Sequence, residues 1–310
     1  MIGEEGRAMR DTFVRTMTQL LDDDPRTALI LADISAEQFR PAMTAHPDRA
    51  LNIGIREQLM LSAAGGLALT GLRPYVHSYA PFVVDRAYEQ IKLDLDHQGV
   101  GAVLVSVGAS YDGSKEGRTH MSPEDVALID TLDGNWTVHV PGHADEVPDL
   151  LRATAEHDDP VYIRLSVRSN SAPYPGERLH VVRRGAGAIV VAVGPMLDPV
   201  LEATAGLDVT VAYTNTPRPF DAAGLRELAW DHLGANEVVL VEPYLAGTSA
   251  RVVADALSDV PHRLLNLGVT RTDLRRYGSP ADHERWRGLD PVMLRRRITD
   301  FTRRYSPAAR

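Results

Sequence analysis

One acidic residue, Glu57, enters one of the most apolar stretches of the chain. From Asn52 through Leu69, a segment rich in Ile, Leu, Ala and Gly, it is the single carboxylate. In the first turn of a helix an acid is favoured by the positive end of the helix dipole. Led toward a core, it loses water and holds its proton more tightly. A Glu packed among Ile55, Leu59 and Leu61 therefore has the raised pKa that proton-transfer chemistry wants. A capped or paired structural acid at a helix start is the plainer reading of the same pattern.

Two other constellations carry chemistry-bearing residue types. In Tyr75-Val-His-Ser-Tyr79-Ala-Pro-Phe82-Val-Val-Asp-Arg86-Ala-Tyr88, a strand ends, a proline turn follows, and rings stand on both sides of it. Such rings either fill a core or stack on a flat heterocycle. The second, from Gly108 through Asp112, Glu116 and Arg118 to His120, is a long polar loop punctuated by glycine after a very hydrophobic run. Loops of that kind at strand ends tend to carry function. Other signals fail on context. Gly185-Ala-Gly187 precedes an apolar run instead of following one, and Pro141-Gly142 forbids the helix that would align His139 with His143. Asp133-Gly-Asn135 is too compact to enclose a magnesium ion. No Walker loop and no nucleophile elbow is present.

The elements that must position these residues alternate. Apolar runs predict strands at 28–32, 75–79, 102–107, 136–140 and 160–165, with helices at 9–21, 55–70, 82–98, 123–132 and 144–156. Ser122-Pro123 reads as an N-cap followed by a first-turn proline. The polar, proline-bearing stretch 169–182 reads as a linker. Beyond it, strands are expected at 188–193, 209–213, 238–242 and 263–267, and helices at 197–205, 222–233, 248–257 and 291–301. The fold class is α/β, with two consecutive open, mainly parallel-sheet domains spanning 1–180 and 181–310.

Composition narrows the classes further. A chain of 310 residues has room for about two domains. No apolar run approaches the ~20 residues needed to span a bilayer. The first residues lack the basic-then-apolar order of a secretory leader, so a cytoplasmic location is expected. With no cysteine, disulfides, thiolate metal sites and cysteine nucleophiles are excluded. A net charge of −9 argues against nucleic acid as the main partner. The arginine-rich final forty residues, with acids interleaved, read as a solvated or subunit-facing surface.

Taken in order, the three constellations resemble the transketolase family of thiamine diphosphate enzymes. Gly54-Ile-Arg-Glu57-Gln58 is similar to the family's conserved-acid motif, and Tyr79-Ala-Pro-Phe82 through Arg86 to its aminopyrimidine-binding segment. Glu116-Gly-Arg-Thr-His120 is similar to its Asp-Gly-Pro-Thr-His loop. Arg164-Leu-Ser-Val-Arg168, Ala188–Gly194, Glu242–Gly247 and Leu267-Gly-Val269 resemble later landmarks, so the likeness runs along nearly the whole chain.

The resemblance implies thiamine diphosphate as cofactor and Glu57 as the catalytic residue at its pyrimidine ring nitrogen. It implies cofactor contacts from Asp33, Ile55, Glu57, Tyr79 and Phe82, with the two rings flanking the pyrimidine. It also implies substrate contacts from Glu116, His120 and Arg168, and no metal ligand in this chain. The family's diphosphate-binding domain, with its Mg2+ site, has no counterpart here. A separate N-terminal transketolase subunit, in an α2β2 assembly, is therefore the expected partner. Many transketolases carry histidine, aspartate and proline where Gly108, Glu116 and Arg118 stand, which opens the donor to a specialised ketose or a keto acid. The β subunit of a 2-oxoacid dehydrogenase, a deoxyxylulose phosphate synthase-like enzyme, and a non-catalytic scaffold or regulatory subunit are the rival readings.

Overall fold

The computed structural model describes residues 4–231 and 237–303. Strands β1 (Thr27–Leu31), β2 (Ala50–Asn52), β3 (Arg73–Tyr79), β4 (Val103–Val107), β5 (Thr137–His139) and β6 (Val161–Arg164) form one all-parallel sheet in the order β2-β1-β3-β4-β6-β5. Strands β7 (His180–Arg183), β8 (Ile189–Val193), β9 (Thr210–Thr214), β10 (Glu237–Leu245) and β11 (Arg263–Val269) form a second, ordered β11-β10-β8-β9-β7. There the edge strand β7 runs antiparallel to β9, and the other pairings are parallel.

The helices of the first half are α1 (Glu4–Asp23), α2 (Arg40–Ala45), α3 (Glu57–Leu69), α4 (Tyr88–Gln90), α5 (Asp125–Asp130) and α6 (Val147–Ala155). Those of the second are α7 (Leu197–Ala203), α8 (Ala222–Asp231), α9 (Ala250–Ala256), α10 (Pro280–Arg287) and α11 (Pro291–Arg303). Alternation along each strand sorts side chains into layers. Leu29, Leu31, Tyr75, Val103 and Val105 pack outward with Phe13 and Met17 of α1 and Leu151 of α6. Ile30, Val76 and Leu104 face the other way, into an apolar layer shared with Ile189, Val191 and Val238 of the second sheet. Outside the second sheet, Val190, Val211 and Val239 pack with Leu294 and Ile298 of α11.

A seam of polar contacts accompanies the shared layer. The Val138 and Val140 amides donate to the Arg218 and Asn215 carbonyls at 2.7 and 2.6 Å, and the Leu245 amide donates to the Pro123 carbonyl at 2.8 Å. Buried Arg164 is paired with buried Asp125 at 2.6 Å and donates to Ser110 at 2.7 Å, and the Ser110 hydroxyl donates to the Pro243 carbonyl.

Several expectations need correction. The single helix expected over 82–98 is a π-helical turn at Pro81–Asp85, then α4, then a second π turn at Ile91–Asp96. Ser122 does not cap α5, which starts at Asp125, because its hydroxyl donates to Asp85 Oδ1 at 2.7 Å. The end of the expected linker belongs to β7, and β10 runs through Pro243 to Leu245. Strand β2 and helices α2 and α10 match no element expected from the sequence. The expected helix at 222–233 is seen to Asp231, and its end at Leu233 lies outside the described residues.

Candidate active site

Glu57 is the first residue of α3 and is 1% exposed. Two groups reach its carboxylate. Ser78, near the C-terminal end of β3, donates to Oε1 at 3.3 Å, and Arg86 donates to Oε2 at 2.8 Å. Arg86 follows the π turn, whose geometry lays its guanidinium over the ring of Phe82, 4.1 Å from the centroid. Acid, cation and ring thus form one stack.

Three rings meet beside it. Tyr79 and Phe82 have centroids 5.9 Å apart, Tyr79 and His120 5.5 Å, and Phe82 and His120 5.0 Å, each pair edge to face. His120 comes from the loop after β4, which turns sharply at Gly108. That residue has φ +75°, and a Cβ there would lie 2.5 Å from Tyr79 Cδ1. Only glycine lets the loop leave the strand so close to the tyrosine. The loop is anchored further on by Asp112, which accepts from the Val167 amide at 2.9 Å and from Ser166 at 3.2 Å. Burial pushes Asp112 up to about 6 and Asp85, on the π turn, up to about 7.

The fold therefore brings together Glu57, Tyr79, Phe82 and His120, drawn from three separate stretches of the sequence. It adds Ser78 and Arg86, neither of which was expected to touch the site. The offset of four residues between Phe82 and Arg86 was the available signal. Asp33 stands exposed after β1, at φ +64°, and is tied to Asn52: its amide donates to Asn52 Oδ1 at 3.0 Å, and Asn52 Nδ2 donates to its carboxylate at 2.9 Å. Asn52 Oδ1 also accepts from the Gly54 amide at 3.2 Å, so this pair braces the approach to Glu57. Glu116 is exposed. Arg168 is not drawn into the cluster, being paired with Glu284 of α10.

One expectation about the surroundings is corrected. Ile55 and Leu59 do not pack around Glu57. They are 69% and 50% exposed, while Leu61 is buried. Tyr79 and Phe82 meet edge to face, and the Arg86 guanidinium lies over the face of Phe82.

That face suits an aminopyrimidine. The Arg86 guanidinium is itself planar and rich in N–H donors, and it already makes the contacts such a ring would make, stacking on Phe82 and donating to Glu57. Among the described residues, no group of three or more His, Asp or Glu is placed to hold a metal ion, and no helix is long and apolar enough to cross a membrane.

A six-stranded parallel sheet with a buried glutamate and an aromatic trio at its strand ends, followed by a second, mostly parallel sheet, is an α/β architecture of the transketolase-like kind. The family "Transketolase, pyrimidine binding domain" matches residues 5–171, more than half of the chain, and the chain belongs to that family. It is 50% identical over 296 residues to the "Uncharacterized 33.6 kDa protein in fasciation locus" of Rhodococcoides fascians, covering 94% of each. It is 29% identical to the "6-deoxy-6-sulfo-D-fructose transketolase subunit SqwH" of Clostridium sp. (strain MSTE9), covering 69% of this chain and 70% of that one. Against the 1-deoxy-D-xylulose-5-phosphate synthase of Acidovorax ebreus it is 31% identical, covering 82% of this chain and 41% of the synthase. A solved structure described as "Split gene transketolase, inactive beta4 tetramer" superposes with TM-score 0.80 at 25% identity, covering 95% of this chain and 98% of that one. Membership in the family suggests dependence on thiamine diphosphate.

Proposed function

We propose that this chain is the β-type subunit of a two-component, thiamine diphosphate-dependent transketolase. In this reading it moves a two-carbon ketol unit from a ketose or ketose phosphate donor to an aldose acceptor, in the cytoplasm. A separate subunit supplies the diphosphate-binding domain and the Mg2+ site, and two copies of each chain form α2β2. The two sheets correspond to a pyrimidine-binding domain and a C-terminal domain that divide near residue 180. The observation that carries the proposal is the stack of Glu57, Arg86 and Phe82, a buried carboxylate beside an aromatic face that suits a planar N–H donor. The near-complete overlap with a split-gene transketolase chain supports the two-component form.

When bound, thiamine diphosphate would supply a nucleophilic carbon for cleavage of the donor. In this chain Glu57 shares a proton with the pyrimidine ring nitrogen, in a place where water cannot compete. Arg86 must give up that carboxylate oxygen or share it. His120, held by two rings, presents its imidazole to substrate hydroxyls, with exposed Glu116 nearby in sequence. Arg168 can grip a phosphate only by leaving Glu284. A keto acid donor is the second reading, favoured by glycine at position 108 and by the likeness to a deoxyxylulose phosphate synthase.

The test is co-purification of the chain with the product of a neighbouring gene encoding a diphosphate-binding domain. A screen of ketose, ketose phosphate and keto acid donors with thiamine diphosphate and Mg2+ would follow. The expected result is an α2β2 complex with donor cleavage and an isolated chain that is silent. Tight, Mg2+-dependent cofactor binding by the chain alone would contradict the proposal, and a complex that binds cofactor but turns over no donor would favour a scaffold.

A further inference from the structure

A cavity of about 490 Å3 lies between the loop after β4 and the segment that joins β11 to α10. Five arginines line it: Arg118 from the loop, Arg271, Arg275 and Arg276 from the segment, and Arg287 from α10. The acids in the wall are Glu124 and Asp273, so the lining carries a net charge of about +3 in a chain of net charge −9. Among the described residues Arg118 is paired, with Glu124, and the other four arginines make no ion pair. Arg287 donates through Nη1 to the Thr270 and Thr272 carbonyls at 3.3 and 3.4 Å, while its buried Nε has no hydrogen-bond partner. Arg276 lies 5.0 Å from the ring centre of Trp286. None of Glu57, Tyr79, Phe82 or His120 lines this cavity.

Five guanidinium groups around two carboxylates leave an excess of positive charge, and like charges so gathered repel one another. At Arg287 burial lowers the pKa and Arg118 adds repulsion, while Tyr111, Asp273 and Glu124 offset part of it. An arrangement of this kind is relieved by a multiply charged anion, and the planar forks of arginine match phosphate oxygens. The volume lies within the range of small-molecule sites. Tyr111 and Tyr277 add ring surface for the remainder of a ligand.

We propose that this cavity is a binding site for a small phosphorylated molecule, held by Arg271, Arg275, Arg276 and Arg287. The site is separate from the Glu57 cluster but shares a wall with it. Tyr277 sits so close to Gly117 that a Cβ there would lie 2.8 Å from its ring, and Ser114 donates to the Gly278 carbonyl at 2.7 Å. The loop that carries Glu116 and His120 on the way back to Tyr79 thus forms one side of the cavity. An anion that draws the opposite wall inward would fix that loop.

The test is calorimetric titration of the full chain with inorganic phosphate and with fructose 6-phosphate at constant ionic strength, using chloride and fructose as controls. Saturable binding of the two phosphate-bearing probes, and none of fructose, is expected. Arg275 and Arg271 are exposed, so Arg275→Glu and Arg271→Glu should leave the fold intact while weakening phosphate binding by about tenfold or more. Arg296→Glu changes net charge equally at an exposed position of α11, away from the cavity, and should have little effect. If the phosphate belongs to a sugar substrate, His120→Ala will weaken fructose 6-phosphate more than inorganic phosphate. If it belongs to a separate effector, that change will leave both unmoved. Either pattern supports the site. Absence of saturable phosphate binding, or equal weakening by Arg275→Glu and Arg296→Glu, overturns it.

Discussion

Replacing Gly108 by alanine asks whether the sharp exit from β4 organises the ring cluster. The residue sits at φ +75°, where an L-residue costs roughly 1–2 kcal/mol. Its new methyl would stand 2.5 Å from Tyr79 Cδ1 and 3.2 Å from Cε1, so the ring must move. Displacing a packed side chain costs about 1–3 kcal/mol. Together these give roughly 2–5 kcal/mol, and the melting temperature of Gly108→Ala should fall by on the order of 10 °C. The two contributions separate in a Tyr79→Ala background, where the methyl meets no ring and only the backbone cost remains. A double-mutant cycle over the four proteins, followed by thermal and denaturant unfolding, should therefore return a coupling of about 1–3 kcal/mol. A Gly108→Ala protein that melts within about 1 °C of its parent, or a cycle without coupling, would refute the reasoning. The same contact bears on the histidine that many transketolases carry at this position. A larger side chain meets the same ring, so Gly108→His cannot simply graft that residue here.

Glu57→Gln keeps an acceptor for Arg86 and Ser78 but loses the charge. With the partner present, proton exchange at the thiazolium carbon of the cofactor should slow by about 10²–10⁴, and an unchanged rate would remove Glu57 from the chemistry. Asp125→Ala strands the buried Arg164 charge and should cost about 3–5 kcal/mol, whereas Arg164→Met combined with Asp125→Leu should recover most of it in denaturant unfolding. Between pH 4 and 6 folded Asp112 keeps a proton that the unfolded chain has released, so its contribution to stability falls as pH rises through that window. Asp112→Asn should accordingly gain on the parent from pH 4 to pH 7, and a constant difference would argue otherwise. Burial lowers His77 to about 3 and His139 to about 4, so stability should drop as pH falls from 6.5 toward those values. Their ring signals in NMR should stay flat from pH 8 to 5.

Strands buried on both faces were the easiest to read. Leu29, Val103 and Ile189 stand in unbroken apolar runs, as parallel interior strands do. Strands β2 and β7 escaped because their apolar runs are too short or too exposed to stand out. One has three residues, and the other, His-Val-Val-Arg, is only half buried. Helix α10 is polar nearly all round, with His283 its single buried residue, so no periodicity marks it. Glu57 was legible because a lone acid in so apolar a stretch is conspicuous. Its neighbours were misjudged because apolar character does not distinguish a core residue from one left exposed, as Ile55 and Leu59 are. The contact with Arg86 depends on a π turn, and the four-residue offset from Phe82 is its one trace in the sequence.

The seam between the two sheets bears on how this gene could be cut. Most of residues 171–178 are exposed, yet the halves they join share an apolar layer, backbone bonds such as Val140 to Asn215, and the buried Arg164–Ser110–Pro243 chain. Covalent continuity at Pro173–Gly176 therefore adds little beyond keeping the two pieces near each other. A protease nick there should leave the fragments bound through gel filtration, and the two fragments made from separate genes should complement each other. By the same logic, a chain already read as one part of a divided enzyme holds a second point at which it could be divided again.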